Sequence, residues 1–540
     1  MSSTFLTLHD PATARAYYDA GLWRDETFYD LLQQHAAARP SAPALRDGRH
    51  ALSWSELGNW VDGVAAELNG LGLIAGDRVS LWLGNRAEAV ATFLACARQG
   101  YVCNPSLHRS YTAAEVAALL KALNASVLVT EPGWGADADM PDLAHVFNDQ
   151  PQLRAILTPD TFPGPGNGPG ASASNPDAVC YLAFTSGTTG APKCVMHSTN
   201  TILANARDMV SDWDHDDTMR LLSLSPLSHH IAWVAVGQWL VTGGTLITDD
   251  PPEGMTKLDW LIETGATYVM GVPTHAIDIL AEQKSRGLDR LGDVGVFYMA
   301  GAPIPPSVAE AFVAQGIKPQ NVYGMTENSS HQYTRPDDDT ETIVATCGRG
   351  GPAYEVRIFD PENSDRSLPA GEVGQIGGRG AALMLGYYDN QTATAASFNR
   401  DGWFLSGDLG VLDAAGNLRI AGRLKDLIIR GGHNIHPSHI EALAMRHAGV
   451  DKVAVIPVLD ERLGEKVCIA VLGEVEAGPL LDHLDGQGLS KYDMPEYFIR
   501  MTIFPLTASG KILKRELVEM VRAGKIVPDP VRFVPRKESA

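Results

Sequence analysis

The sequence has few cysteines, no long uninterrupted apolar run and a deficit of positive charge. Its six cysteines form no CxxC pair and lack the spacing of a small secreted domain, which disfavours a zinc site and a disulfide framework. The most apolar run, residues 231–241, is about half the length of a membrane-spanning helix, so we expect it in a protein core. The net charge of −21 disfavours binding to nucleic acid or anionic lipid.

The N-terminus also lacks the basic patch and apolar stretch of a signal peptide. Together with the scattered cysteines, this predicts a cytoplasmic protein with no membrane span. The 540 residues, of which 45% are hydrophobic and 20% charged, have the composition of a globular enzyme, and the length suggests roughly three or four domains.

Strand-like runs alternate with helical periodicity along most of the chain, which predicts an α/β fold. One series of these units lies between residues 77 and 130, and a second begins after an exposed Gly- and Pro-rich linker at 164–176. After residue 423 the pattern changes to short helices and paired strands. We therefore predict a large N-terminal domain of layered α/β subdomains (1–423) and a small, mobile α+β domain (424–540).

The segment YLAFTSGTTGAPK carries the strongest chemical signal. A strand leads into a loop rich in glycine and hydroxyl groups, Thr185, Ser186, Gly187, Thr188, Thr189 and Gly190, followed by Lys193. Such a loop can bind phosphate through backbone amides, hydroxyls and one cation. It is not a Walker loop, because Pro192 precedes the lysine and Cys194 follows it. A polar hairpin turn is the alternative interpretation.

This loop resembles the core motif of the adenylate-forming superfamily, which includes acyl-CoA synthetases, nonribosomal adenylation domains and firefly-type luciferases. Four further motifs follow in the family's order: YGMTE at 323–327, SGD at 406–408, GRLKD at 422–426 and ASGKILKREL at 508–517. The resemblance extends from about residue 52 to residue 517. It implies an acid–thiol ligase that uses ATP, Mg²⁺ and coenzyme A and forms an acyl-adenylate.

The resemblance also implies roles for individual residues. Thr326 would donate to the α-phosphate, Glu327 would bind Mg²⁺, and Lys511 would bind both the carboxylate of the acid and the α-phosphate. Besides the loop and Lys193, the nucleotide would contact Ala300, Gly301, Ala302, Asn321, Tyr323, Gly324, Asp408 and Arg423.

The small domain would rotate about a hinge at Lys425 between the two half-reactions. It would then present Arg430, Gly431 and Gly432 to the pantetheine arm of coenzyme A.

Cys194 and His433 depart from the residues usual in the family, which affects the expected loop geometry and coenzyme A route. Three nearby histidines, His433, His436 and His439, suggest a metal site, but Pro437 would interrupt a helix through all three.

By the same resemblance, the acid would enter past His229, with His230 either sharing that role or simply packing. The pocket would be lined by His229, His230, Trp233, Met270, Gly271, Val272, Met299, Ala300 and Met325. No aspartate lies between residues 225 and 238 to pair with an ammonium group, and the pocket segments contain no Arg or Lys. We therefore expect a monocarboxylic acid with an apolar tail, medium-chain, alicyclic or aromatic, with cyclohexanecarboxylate-type acids as first choice.

Two other functions remain open at this stage. The first is an adenylating enzyme that loads the phosphopantetheine of a carrier protein, although no carrier-like domain is fused to this chain. The second is a luciferase-like oxygenase, which shares the adenylation motifs. The sequence also leaves the oligomeric state open, a homodimer being one possibility.

Overall fold

Helix boundaries follow the capping signals in the sequence. Thr112 and Glu115 form a capping box at the start of one helix, and Gly100, at φ 69°, ends another. The computed structural model describes residues 5–137, 147, 150–185, 192–431, 433–506 and 512–533. In this part of the chain, no helix is long and apolar enough to cross a membrane.

The helices in the described residues are as follows: α1 (Pro11–Asp19), α2 (Phe28–Ala38), α3 (Trp54–Gly70), α4 (Ala87–Gln99), α5 (Ala113–Leu123), α6 (Thr199–Asp212), α7 (His230–Thr242), α8 (Lys257–Thr264), α9 (Pro273–Ser285), α10 (Pro306–Val313), α11 (Thr340–Ala345), α12 (Gln391–Ala395), α13 (Pro437–Ala444), α14 (Ala477–Gly486) and α15 (Lys514–Arg522). A 3₁₀ turn spans Leu424–Asp426.

The strands are as follows: β1 (Pro43–Arg46), β2 (Ala51–Ser53), β3 (Arg78–Trp82), β4 (Val102–Asn104), β5 (Ala125–Thr130), β6 (Ala155–Leu157), β7 (Val179–Thr185), β8 (Lys193–Ser198), β9 (Arg220–Ser223), β10 (Thr245–Thr248), β11 (Tyr268–Gly271), β12 (Val296–Ala300), β13 (Lys318–Met325), β14 (Ser329–Tyr333), β15 (Tyr354–Phe359), β16 (Gly374–Gly380), β17 (Phe404–Leu412), β18 (Leu418–Arg423), β19 (Ile428–Arg430), β20 (His433–Ile435), β21 (Val450–Asp460), β22 (Gly464–Gly473), β23 (Tyr497–Arg500) and β24 (Asp529–Pro530).

The chain divides into two compact units. The large unit comprises Met1–Val356, Gly378–Phe404 and Gly416–Leu418, and the small unit comprises Arg357–Gly377, Leu405–Ala415 and Arg419–Ala540. Strands β15 to β18 form a four-stranded sheet in that order. The domain boundary between residues 423 and 424 stays a prediction.

Two largely parallel sheets organise the large unit. One has the order β14-β13-β12-β11-β9-β10-β1-β2 and the other the order β6-β5-β3-β4-β7-β8. Their antiparallel pairs, β1 with β2, β13 with β14 and β7 with β8, lie at sheet edges. The α/β prediction is confirmed. Helix α7 contains the apolar run 231–241, and most of that run is buried as expected.

The main sheet separates two apolar cores, because successive residues of a strand point to opposite faces. One core contains Tyr298 and Ala300, and the other contains Phe297 and Met299. The Gly-rich segment 164–176 is mostly exposed, as predicted, but it is also anchored: Arg98 donates to the carbonyl of Gly170 at 2.8 Å.

The small unit also contains a sheet with the strand order β20-β19-β22-β23-β24, in which β21 pairs with β22. Helices α13 and α14 pack with this sheet around an apolar core. Helix α13 begins at Pro437, so the three histidines at 433, 436 and 439 occupy a strand, a cap position and a helix. The expected interruption at the proline is confirmed.

Candidate active site

The strands on either side of the predicted phosphate loop form an antiparallel pair. β7 ends at Thr185 and β8 begins at Lys193, and these two residues are partners in the register. The Thr185 hydroxyl donates to the carbonyl oxygen of Lys193 at 3.4 Å. Ser186, Gly187, Thr188, Thr189 and Gly190 lie outside the described residues. The two ends of the loop are therefore held together by the sheet edge.

A buried tyrosine joins the lysine of this loop to the glutamate of the YGMTE motif. The Nζ atom of Lys193 lies 4.4 Å from the ring centroid of Tyr387, a cation–π distance. The Tyr387 hydroxyl donates to Oε1 of Glu327 at 2.9 Å. Burial, with the neighbouring charge of Glu327, raises the pKa of Tyr387, so the phenol keeps its proton and remains a donor.

The turn that carries Thr326 and Glu327 connects β13 to β14 in a tight and strained geometry. A side chain at Gly324 would overlap the carbonyl oxygen of Ser329. Ser329 itself adopts φ 56°, a left-handed conformation that costs a non-glycine residue about 1–3 kcal/mol. The backbone N–H of Met325 donates to the side chain of Asn328 at 3.1 Å across the turn. Surrounding contacts must therefore maintain this conformation.

Two other predicted nucleotide residues lie on β13. Tyr323 is half-buried, with its ring edge-on to the ring of His331 at 5.4 Å. The side-chain amide of Asn321 donates to the carbonyl oxygens of Ile343 and Thr346, both at 2.8 Å. This amide therefore fastens the C-terminal end of α11.

The turn after β12 contains the predicted adenine-facing segment. Ala300 is buried, whereas Gly301 and Ala302 are exposed. Gly301 has φ 89°, a conformation that glycine adopts without strain. The backbone here is accessible to a ligand.

Several predicted acyl-pocket residues share one face of the main sheet. Trp233, Met270 and Ala300 belong to the same core, and the indole of Trp233 donates to the carbonyl of Leu227 at 2.7 Å. Met299 packs into the core on the opposite face of the sheet. The structure therefore brings the first three together and separates the side chain of Met299 from them.

Close packing also fixes the next part of the predicted pocket. A side chain at Gly271 would meet the ring of His275, with a Cβ only 2.8 Å from Nδ1. Val272 follows as the residue that precedes α9. Met325, at the end of β13, packs against the cluster that contains Tyr387.

The two adjacent histidines at the start of α7 have different surroundings. The half-buried ring of His229 stacks on His108 at 4.4 Å. Nδ1 of His108 lies 3.0 Å from the hydroxyl of Ser228, and burial lowers the pKa of His108 to about 4. Both ring nitrogens of His230 are bonded within the protein, to Tyr181 at 3.2 Å and Ser329 at 3.0 Å. Both histidines are half-buried, and the ring of His230 is oriented by two protein hydroxyls.

The small unit holds the remaining predicted residues. Arg423 donates to Asp408 at 3.1 Å, and Lys425 lies in the 3₁₀ turn. Arg430 donates to both carboxylate oxygens of Glu496 at 2.8 and 3.0 Å, and this bonding raises the pKa of Arg430. Gly431 has φ 60°. Gly432 and Lys511 lie outside the described residues.

Comparison with known proteins identifies the family. The AMP-binding enzyme model matches residues 32–388, and the AMP-binding enzyme C-terminal domain model matches residues 439–511. This chain belongs to the AMP-binding enzyme family. The predicted adenylate-forming family and fold class are thereby confirmed, and the predicted enzyme class, an AMP-forming acid–thiol ligase, agrees with them.

Similar AMP-binding enzymes include the medium-chain fatty-acid–CoA ligase of Escherichia coli, 28% identical over 94% of this chain and 93% of the relative. Another is the 3-[(3aS,4S,7aS)-7a-methyl-1,5-dioxo-octahydro-1H-inden-4-yl]propanoyl:CoA ligase of Mycobacterium tuberculosis, 32% identical over 89% of this chain and 96% of the relative. The solved structure of o-succinylbenzoate CoA synthetase from Bacillus subtilis, in complex with its acyl-adenylate intermediate, aligns with a TM-score of 0.80. It is 25% identical and covers 92% of this chain and 98% of that one.

Motif reasoning did not find all the residues that surround the site of this AMP-binding enzyme. It missed Tyr387, which touches Lys193 and Glu327, and His108, which stacks on His229. It also missed His197 on β8, whose ring contacts the carbonyl of Thr326. Tyr387 and His108 reach the site from other parts of the chain. His197 follows Lys193 by four residues, but its contact with Thr326 spans 129 positions, so no local spacing in the sequence indicates these contacts.

Proposed function

We propose that this AMP-binding enzyme is an AMP-forming acid–CoA ligase that acts on a monocarboxylic acid with an apolar tail. ATP and the acid would form an acyl-adenylate and pyrophosphate, and coenzyme A would then take the acyl group and release AMP. The observation that carries the proposal is the contact of Tyr387 with both Lys193 and Glu327, within a chain that matches the family along most of its length. Two motifs far apart in sequence thus supply a cation and a carboxylate at one place.

In this proposal, the phosphate loop and Lys193 bind the phosphates, and Thr326 donates to the α-phosphate as it is attacked. Lys511 pairs with the carboxylate of the acid and with the same phosphate, which offsets the repulsion between two anions. Tyr323 and the turn Ala300–Ala302 bind adenine, while Asp408 accepts hydrogen bonds from the ribose. The rate gain is therefore positional and electrostatic, and it requires no covalent enzyme intermediate.

Glu327 is the proposed ligand for Mg²⁺. A carboxylate is the hard oxygen ligand that this ion prefers, and Tyr387 fixes the orientation of this carboxylate through Oε1. When bound, Mg²⁺ would neutralise charge on the triphosphate. Tyr387 and the turn between β13 and β14 hold the carboxylate in place.

The proposed acid is medium-chain, alicyclic or aromatic. The Escherichia coli relative is named for medium-chain fatty acids, and the mycobacterial relative for a propanoate that carries a fused ring. The apolar surroundings of Trp233 and Met270 also suit an uncharged tail. His229 is the proposed gate of this pocket.

A basic cavity in the small unit supports coenzyme A as the acceptor. The cavity has a volume of about 610 Å³, and five cations contribute to its lining: Arg430, Arg462, Lys466, Lys491 and Arg532. Glu496 also lines the cavity, where it pairs with Arg430, and Lys466 pairs with Asp460, so the lining keeps an excess of positive charge. In a chain with a net charge of −21, this local excess favours a polyanion at this place. The phosphates of coenzyme A have the required charge, and Arg430 and Gly431 begin the loop proposed for its pantetheine arm.

The direct test is pyrophosphate release across a panel of medium-chain, alicyclic and aromatic acids, with and without coenzyme A. We expect acid-dependent release for an apolar monocarboxylic acid, and formation of its acyl-CoA only when coenzyme A is present. Dicarboxylic and α-amino acids of equal size serve as controls. Acyl transfer to a carrier protein but not to free coenzyme A would reject the ligase assignment, as would oxygen uptake that accompanies turnover.

Reversal of charge in the basic cavity tests the acceptor. Lys491→Glu should raise the KM for coenzyme A about tenfold at low salt, with a smaller effect at high salt, because exposed charges are screened. ATP–pyrophosphate exchange, which does not involve the thiol, should remain within about twofold of the wild type. Lys525→Glu, an exposed lysine of the same unit, is the matched control. An unchanged KM for coenzyme A would remove the cavity from the proposal.

A further inference from the structure

The turn at residues 326–329 has an unusual support on its buried side. It carries the proposed α-phosphate donor and the proposed Mg²⁺ ligand, and it includes a serine in a left-handed conformation. A strained turn keeps one geometry only where its neighbours hold it. Tyr387 and the backbone N–H of Met384 contact Glu327, and two histidines, His197 and His230, contact the two ends of the turn.

His197 holds the first residue of the turn. Its ring is fully buried on β8, with Nε2 2.6 Å from the carbonyl oxygen of Thr326 and Nδ1 2.9 Å from the hydroxyl of Thr201. Burial lowers the pKa of His197 to about 4, so the ring is neutral. Because a carbonyl oxygen only accepts, the proton is assigned to Nε2. Nδ1 is then an acceptor 2.9 Å from the Thr201 hydroxyl, whose one proton is also within reach of the carbonyl oxygen of Ser198 at 3.0 Å, and this contact orients the ring.

His230 holds the last residue of the turn. Nε2 lies 3.0 Å from the hydroxyl of Ser329, and Nδ1 lies 3.2 Å from the hydroxyl of Tyr181. The ring stacks on that of His197, with centroids 5.3 Å apart and planes inclined by 17°. Burial, with a smaller contribution from His197, also lowers the pKa of His230. Two neutral, stacked imidazole rings thus bind the first and last residues of the turn at 326–329.

We propose that His197 and His230 are positioning residues, which fix the turn at 326–329 so that Thr326 and Glu327 face the nucleotide and its metal in one orientation. This inference rests on the proposed adenylation function and assigns His230 to the turn instead of to the acid. The pair acts through the backbone of Thr326 and the hydroxyl of Ser329. Its loss should therefore affect the use of ATP and Mg²⁺ more than the binding of the acid.

The test is ATP–pyrophosphate exchange in His197→Phe, which keeps the ring stack but removes both hydrogen bonds. We expect kcat to fall about tenfold and the Mg²⁺ concentration for half-maximal rate to rise about tenfold, with the KM for the acid within about twofold of the wild type. His197→Gln places an amide N–H near the position of Nε2 and should restore most of both losses. A purely structural role would not raise the Mg²⁺ requirement while the KM for the acid stays unchanged, and the Gln variant would not recover under it.

The matched control is His215→Phe. His215 is also a histidine whose pKa burial lowers to about 4, but it packs on Tyr268, away from the turn. This variant should show wild-type exchange and Mg²⁺ dependence. The proposal is wrong if His197→Phe changes every kinetic parameter equally, or if the Gln variant is as impaired as the Phe variant.

Two further measurements apply if His197→Phe does not fold or if the wild type shows no exchange. If His197→Phe does not fold, Thr201→Val, which leaves the imidazole but removes the hydroxyl that orients it, should show the same raised Mg²⁺ requirement. If the wild type shows no acid-dependent exchange, the proposed function fails, and calorimetry of ATP binding with and without Mg²⁺ tests the turn alone. In that case equal Mg²⁺ dependence in the wild type and His197→Phe would overturn the positioning role.

Discussion

At the scale of single residues, the site depends on side chains that orient other side chains. Glu327 is directed by the phenol of Tyr387, and His229 is supported by the stacked ring of His108. Tyr387 is buried, so its hydrogen bond is strengthened by the low-dielectric surroundings, whereas the half-buried His108 acts through ring stacking. Substitution of the supporting residue should therefore affect chemistry without removal of a predicted ligand.

Tyr387→Phe isolates the hydrogen bond to Glu327. A hydrogen bond to a charged group contributes about 1.5–3 kcal/mol, so we expect ATP–pyrophosphate exchange to fall about ten- to a hundredfold. The aromatic ring and its contact with Lys193 remain in this variant. Measurement of kcat at saturating and limiting Mg²⁺ should show the larger loss when the metal is limiting.

Two other variants serve as a control and as a more severe change. Tyr388→Phe removes a phenol from the next residue, which packs near Phe5, and should leave exchange unchanged. Tyr387→Leu loses the cation–π contact as well and should be more impaired than Tyr387→Phe. Wild-type Mg²⁺ dependence in Tyr387→Phe would contradict the orienting role.

At the scale of elements, the pair β13 and β14 determines where the YGMTE motif projects. The register shifts between Tyr323 and Met325, and the backbone of Ser329 lies against Gly324. A glycine is required there because any Cβ would overlap a backbone carbonyl, which cannot rotate away as a side chain can. The glycine of this motif is thus needed for the close approach of two strands.

Gly324→Ala should therefore destabilise the large unit by about 1–3 kcal/mol or more, the usual cost of an added methyl group in a packed region. Thermal unfolding and exchange activity measure the effect, and we expect both to fall. Gly295→Ala is the control, since a Cβ there comes no closer than 3.7 Å to its neighbours. Equal stability of the two variants would show that the strands can separate without cost.

At the scale of the whole molecule, stability should depend on pH through a buried carboxylate. Asp208, on α6, accepts a hydrogen bond from the backbone N–H of Ala353 at 2.8 Å. Burial raises the pKa of Asp208 to about 6, although this hydrogen bond and Arg335 act in the opposite direction. The folded state therefore binds the Asp208 proton more tightly than the unfolded state, whose pKa is about 4.

The sign of the effect follows from this order of pKa values. The contribution of Asp208 to stability is most favourable below about pH 4, and it declines as the pH rises through about 6. Asp208→Asn removes the charge and should stabilise the protein more at pH 8 than at pH 4.5. The difference in the free energy of unfolding between the two pH values should be up to about 3 kcal/mol, and thermal unfolding at each pH measures it. Asp289→Asn, at an exposed position, should show no such difference. A loss of stability at pH 8 would indicate that the charge of Asp208 is needed.

Much of the fold was predictable because its signals are local. The capping box at Thr112, the helix end at Gly100 and the helix start at Pro437 each depend on neighbours within a few residues. The phosphate loop and YGMTE motif were predictable as chemistry for the same reason. Their detailed roles stay predictions, as do the oligomeric state and the location in the cell.

The sequence by itself determined the family, the alternation of helices and strands, and the order of the motifs, since each is encoded in short stretches. Only the tertiary structure placed Met299 and Ala300 on opposite faces of one sheet, because strand direction has to be known before a side chain can be assigned to a core. Only the folded chain also brings Tyr387 to Lys193 and His197 to Thr326. These contacts join residues separated by more than a hundred positions, and long-range packing alone decides them.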